Sequence, residues 1–244
     1  MRLSILWLSF FLCTASAFAQ DDVSYTRETG IGINLNTNGG LIGGVMFKRT
    51  NHIRKGMYHL FAFEIVNVKS PKEQKYAANK TGNGFIAFKT NYLFSFRPMY
   101  GREFLLFRKA EEEGVRVNGL IAVGPSFGLL KPYAIQYDAT PGATANSTPQ
   151  FVVNTPYDPV VHDPMLILGT GGLFTGINRS KILPGLSAKS ALNFEIGSAS
   201  TGIEVGGLIE YYPKGKQVRE IFYGTPLPTV FTSFYINIYF SLRD

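Results

Sequence analysis

The segment from Val230 to Leu242 constrains this chain more than any other. Its residues alternate without a break. One face reads Val230, Thr232, Phe234, Ile236, Ile238, Phe240, Leu242, and the other Phe231, Ser233, Tyr235, Asn237, Tyr239, Ser241. Side chains of a strand alternate between its two faces, so this is a strand with one apolar and one mixed surface. An ordinary strand runs for about five or six residues. A strand tilted across a lipid bilayer needs about 9–11. The length therefore predicts a membrane-crossing strand, with aromatics toward both ends where the interfacial girdles of such barrels lie.

The other end of the chain predicts export. Arg2 precedes an apolar run, Leu3 to Leu12, and Ala17-Phe18-Ala19 has the small-x-small form of a cleavage site. Residues 1–19 are assigned as a signal peptide and 20–244 as the mature barrel. Cys13 leaves with the leader, because Leu12 stands where a lipoprotein signal needs a small residue. The chain's single cysteine is then gone, which excludes disulfides, thiolate metal sites and a cysteine nucleophile. The net charge is +7 and falls by one with the leader. For an exported chain this predicts lipopolysaccharide phosphates, or solvated loop lysines, rather than nucleic acid. A mean hydropathy of +0.05, with no apolar run of about 18 residues after the leader, excludes a helical membrane protein.

The same alternation recurs at 27–36, 41–49, 57–68, 85–97, 115–129, 186–197 and 201–212. With 230–242 this makes an all-β, antiparallel, up-and-down transmembrane β-barrel of eight strands. Barrels of this class carry an even number of strands and keep long loops on one side. Eight strands put 37–40, 69–84, 130–185 and 213–229 on the outer side, with 130–185 as a long loop insertion. Ten strands, adding 103–109 and 165–177, is the alternative. The closing strand must then pair with 27–36. A charge on the lipid face at mid-depth costs about 2–4 kcal/mol, so charged residues on these strands are assigned to the lumen: Glu64, Lys89, Arg97, Arg116, Lys189, Glu195, Glu204 and Glu210. An eight-stranded interior is filled by side chains, which makes an open pore unexpected.

The chain resembles the small outer-membrane β-barrel proteins of Gram-negative bacteria over nearly all its mature length. The style of Gly124-Pro125-Ser126-Phe127-Gly128-Leu129-Leu130-Lys131-Pro132-Tyr133 and of Pro184-Gly185-Leu186-Ser187-Ala188-Lys189 looks like uncharacterised barrels of Bacteroidota. The resemblance implies residence in the cell outer membrane. The partners it implies are outer-membrane lipid, lipopolysaccharide and the barrel-assembly machinery. That machinery often recognises a terminal aromatic, whereas here Ser241-Leu242-Arg243-Asp244 follows Phe240.

Some small barrels are lipid-modifying enzymes or proteases, which need a histidine near a serine or carboxylate at the outer rim. His52 falls in a turn on the wrong side. His59 lacks a serine two residues on. His162-Asp163 lies in the long loop but is a lone dipeptide. Asp138, Asp158 and Asp163 match no calcium loop, and Gly169-Thr170-Gly171-Gly172 lacks the partners of a phosphate loop. No catalytic residue, cofactor or metal is assigned. Tyr133, Tyr137, Phe151, Tyr157 and His162 mark the long loop as a partner-binding surface or a packed lid. A non-enzymatic barrel with an envelope-structural or loop-mediated binding role is the favoured function. A transport barrel or a subunit of a secretion or uptake complex comes second, and a lipid-modifying rim enzyme third.

Overall fold

The computed structural model describes residues 26–107, 114–196, 201–213 and 219–243. The expected signal peptide, 1–19, lies outside the described residues. Eight strands form a closed antiparallel barrel: β1 (Arg27–Asn36), β2 (Gly40–Arg54), β3 (Met57–Val68), β6 (Asn91–Phe107), β7 (Val115–Pro132), β11 (Lys181–Ile196), β12 (Thr201–Tyr211) and β15 (Val230–Arg243). Each pairs with its sequence neighbour, and β15 returns to β1 from Glu28↔Arg243 to Asn36↔Tyr235. Closure gives every barrel strand a partner on both sides, so no sheet edge is left open.

The alternation read from the sequence sorts side chains as a barrel wall requires. Along β15, Ser233, Tyr235, Asn237, Tyr239 and Ser241 are buried in the lumen, while Phe234, Ile236, Phe240 and Leu242 are exposed outside. Around the wall, Ile31, Phe63, Ile121, Phe127, Leu186 and Ile209 are likewise exposed. The lumen is packed closely at Tyr239. It stands directly across from Gly32 on β1 and from Gly202 on β12. A Cβ at Gly32 would run into the Ile238 carbonyl and the Tyr239 backbone, and one at Gly202 into the Tyr239 ring, so Gly202 provides the space that the ring fills.

Several boundaries move. β2 runs on through His52 to Arg54, leaving only Lys55-Gly56 as its turn. The expected strand 85–97 is broken: Phe88 has a left-handed backbone (φ 61°), and the barrel strand begins at Asn91. It then continues to Phe107. This absorbs the short expected segment from 103 as far as 107 and removes most of the expected connection 98–114. Pro98 does not end the strand. In the β6–β7 register it stands opposite Pro125, at a position where the ladder is interrupted. Neither proline has an N–H to orphan. The ten-strand alternative is thereby set aside.

The connections at one end are short, and those at the other end, except the turn between β1 and β2, are long and carry strands of their own. β7 and β11 extend beyond expectation, so the long insertion spans 133–180. It folds into a three-stranded sheet of order β10 (Ile167–Thr170), β8 (Ala134–Asp138), β9 (Val152–Pro156). Two hairpins lie at the same end: β4 (Lys75–Ala77) with β5 (Gly84–Ile86), and β13 (Glu220–Phe222) with β14 (Thr225–Pro226). The stretch 165–177 supplies β10, between single 3-10 turns at Pro164–Leu166 and Ile177–Arg179.

Candidate functional site

Among the described residues the lumen holds three successive ionic groups. Nearest the long loops, Arg97 grips Glu210 with both ends of its guanidinium, Nη2 to Oε2 at 2.7 Å and Nε to Oε1 at 3.1 Å. Ser95, Ser126 and Tyr212 donate to the same carboxylate. In the middle, Lys189 Nζ lies 2.8 Å from Glu64 and 2.9 Å from Glu204, and Tyr235 donates to Glu204 at 2.7 Å. Arg97 also approaches Glu64 at 3.6 Å, which joins the two groups.

At the short-turn end, Glu28, Glu103 and Glu195 bring carboxylate oxygens within 4.8 Å of one another. Three protein cations lie among them. Lys48 is 3.7 Å from Glu103 and 3.9 Å from Glu28. Arg243 is 3.1 Å from Glu28 and 2.5 Å from Glu195. Arg116 reaches Glu195 at 4.0 Å. Asn118 donates to Glu103 and Glu195 at 2.7 and 2.9 Å. The charges balance within the chain, so the carboxylates form an ion cluster with the protein's own cations. Paired and hydrogen-bonded, these charges meet the condition under which burial is tolerated.

Seven of the eight residues assigned to the lumen take part in these groups. Lys89 does not. It precedes β6 and is buried among the long loops, with Nζ 2.6 Å from Glu73 and 4.4 Å from the centre of the Tyr92 ring. Its placement follows from the break at Phe88, which removes it from the barrel wall. Burial pushes its ammonium pKa down, against the pull of Glu73. Sequence reasoning missed Glu28, Lys48, Glu103 and Arg243. Glu28 stands on the glycine- and asparagine-bearing face of β1, next to Arg27, and Lys48 shares a face with Met46 on a strand whose two sides look alike. Glu103 belonged to a segment read as separate.

The long loops form a layer with an interior of its own: Ala78, Phe85, Tyr133, Ile135, Tyr157 and Ile167 pack together. Tyr133 accepts a hydrogen bond from the Ile86 N–H at 2.9 Å, and Thr81 donates to the Leu168 carbonyl at 2.5 Å. Lys80 holds Asp138 at 2.6 Å. That hydrogen bond and a second from Thr140 keep the Asp138 carboxyl below its usual range.

Of the five residues marked in the long loop, Tyr133 and Tyr157 are buried, Tyr137 and His162 are half-buried, and only Phe151 is exposed. A surface role does not fit Tyr133 and Tyr157, because β4, β5 and β8–β10 close over them. The His162 ring packs edge-on against Tyr137 at 4.8 Å, and its Nδ1 accepts from the Asp158 N–H at 3.0 Å. Asp163 turns to the Met165 N–H at 2.9 Å. Histidine and aspartate thus serve local turns. Exposed apolar side chains are frequent on this layer and include Phe151, Val160, Val161, Leu173 and Phe174.

No protein-family model matches the chain, and no curated protein matches it. Among solved structures the chain is similar to Ail, the attachment invasion locus protein of Yersinia pestis, whose structure was determined in complex with the heparin analogue sucrose octasulfate. The two share 9% identity with a TM-score of 0.36, over 88% of this chain and 96% of that one.

Proposed function

We propose that this protein is a non-enzymatic β-barrel of the bacterial outer membrane whose long loops, on the outer side, form a preformed surface for a protein partner. The observation that carries the reading is the loop layer. It is packed around buried Tyr133, Ile135 and Ile167, yet it leaves Phe151, Val160, Val161, Leu173 and Phe174 in the open. Folded loops that retain large exposed apolar side chains mark interaction sites. The barrel beneath supports an anchoring role. Tyr58, Leu60, Leu120, Tyr235 and Tyr239 are all buried in its interior, which favours a filled scaffold over a stand-alone conduit. Lipid, lipopolysaccharide and the assembly machinery are its partners within the membrane.

Two measurements test this. The exported protein fractionates with the outer membrane and migrates faster on gels before heating than after. Recovery from the soluble periplasm overturns the location. A photo-crosslinking residue placed at Phe174 or Val160 gives a discrete protein adduct in intact cells, while the same residue at buried Tyr157 does not. Identical patterns at all three positions overturn the binding surface.

A further inference from the structure

The loop wall has a gap. The turn between β1 and β2 is only Thr37 to Gly39, while the connections on either side, 69–90 after β3 and 212–229 before β15, are long. Above this short turn lies a cleft of about 400 Å³, within the roughly 300–1,000 Å³ typical of ligand sites. Val68, Leu227 and Phe231 belong to its apolar floor. One side continues through Val230 and Thr232 onto the outward, exposed face of β15. The cleft therefore opens sideways over the rim, where the wall would meet the surrounding leaflet. Its edges are tied together: the Lys69 N–H donates to the Asn38 carbonyl at 2.7 Å, and Asn38 Nδ2 donates to the Thr232 carbonyl at 3.0 Å.

Two lysines border this cleft. Lys72 Nζ reaches across to the neutral Thr225 hydroxyl at 3.1 Å. The exposed Lys69 ammonium has no hydrogen-bond or ion-pair partner among the described residues. The one carboxylate nearby in sequence, Glu73, is committed to Lys89. The cleft thus offers two uncompensated cations above an apolar floor, and an ammonium is a ready partner for phosphate.

We propose that this notch binds an anionic, phosphate-bearing lipid of the surrounding leaflet, its phosphate held by Lys69 and Lys72 and an acyl chain lying in the cleft and down β15. The proposal rests on the membrane reading of the barrel.

Native mass spectrometry of the detergent-purified mature protein tests it. The probes are dioleoyl phosphatidylglycerol and dioleoyl phosphatidylcholine. Retention of the first exceeds the second at least five-fold, K69Q/K72Q abolishes the preference, and K75Q on the same loop keeps it. Equal retention of the two lipids, or an unchanged preference in K69Q/K72Q, overturns the proposal. So does full displacement of the lipid by millimolar inorganic phosphate, which would make the notch an ion site. A double variant that still shows heat-modifiable migration confines the failure to the notch. A wild-type protein that does not insert into vesicles overturns the membrane reading, and this proposal with it.

Discussion

Replacing Lys189 with methionine isolates the contribution of the lumen charges. The side chain is fully buried, and its ammonium is shared by Glu64 at 2.8 Å and Glu204 at 2.9 Å. Removing one partner of a buried ion pair costs about 3–5 kcal/mol, because the remaining charge keeps its desolvation penalty. The loss is not doubled here. Glu64 keeps Arg97 at 3.6 Å, and Glu204 keeps the Tyr235 hydroxyl at 2.7 Å. Methionine matches the length of the lysine stem, so packing changes little. With a urea dependence of roughly 2 kcal/mol per molar, the unfolding midpoint falls by about 2 M. The assay is urea titration of the refolded barrel in detergent micelles, read by heat-modifiable gel migration and circular dichroism. The triple variant K189M/E64Q/E204Q removes the stranded charges and recovers most of the loss, since neutral replacement of a buried ion group is often tolerated. A single-variant shift below about 0.5 M in the same assay, on the same urea dependence, would show that water screens the group, and the reasoning would be refuted.

Two further predictions use positions with built-in controls. Gly202→Val drives a branched side chain into the Tyr239 ring, which Lys48 and Asn193 hold at 2.8 and 2.7 Å. Overpacking of this kind costs about 1–3 kcal/mol, whereas Gly207→Val, with open space around its Cβ, leaves the urea midpoint unchanged. The Lys80–Asp138 pair is a pH-dependent tie within the loop layer. The Asp138 pKa is lowered from 3.8 by its hydrogen bonds with Lys80 and Thr140. Its stabilisation is present above that value and lost as pH falls through the depressed one. A spin label at exposed Asn146 therefore stays immobile from pH 7 to 5 and gains mobility only below the unperturbed value; a gain between pH 6 and 5 contradicts the assignment.

The wall of this barrel was legible because an exposed apolar face on one side and a filled lumen on the other impose the same two-residue period on every strand. The pairing of 27–36 with the closing strand followed from strand parity, since the chain has to seal its own edges. Features that depend on contacts distant in sequence were hidden. The strand read as 85–97 stops short of Pro98. Only the register of β7, which sets Pro125 opposite Pro98, shows why the strand passes through. Glu28 and Lys48 were obscured by faces that carry glycine and methionine beside the charge. Tyr133 and Tyr157 each follow a proline in a stretch without a two-residue period, and their burial depends on β4 and β5 folding over from another loop. The notch left no sequence signal beyond the shortness of the β1–β2 turn, since its floor combines residues about 160 positions apart.

The central claim is that one face of each barrel strand meets lipid and the other a packed ionic lumen. Single spin labels placed at each position from Val230 to Leu242, in the protein reconstituted into lipid vesicles, test it most directly. Accessibility to oxygen, which concentrates in the bilayer, should rise and fall with a period of two, peaking at Phe234, Ile236, Ile238 and Phe240 and falling at Tyr235, Asn237 and Tyr239. Uniform accessibility along the segment, or peaks for a water-soluble nickel chelate at the positions assigned to lipid, would contradict the account.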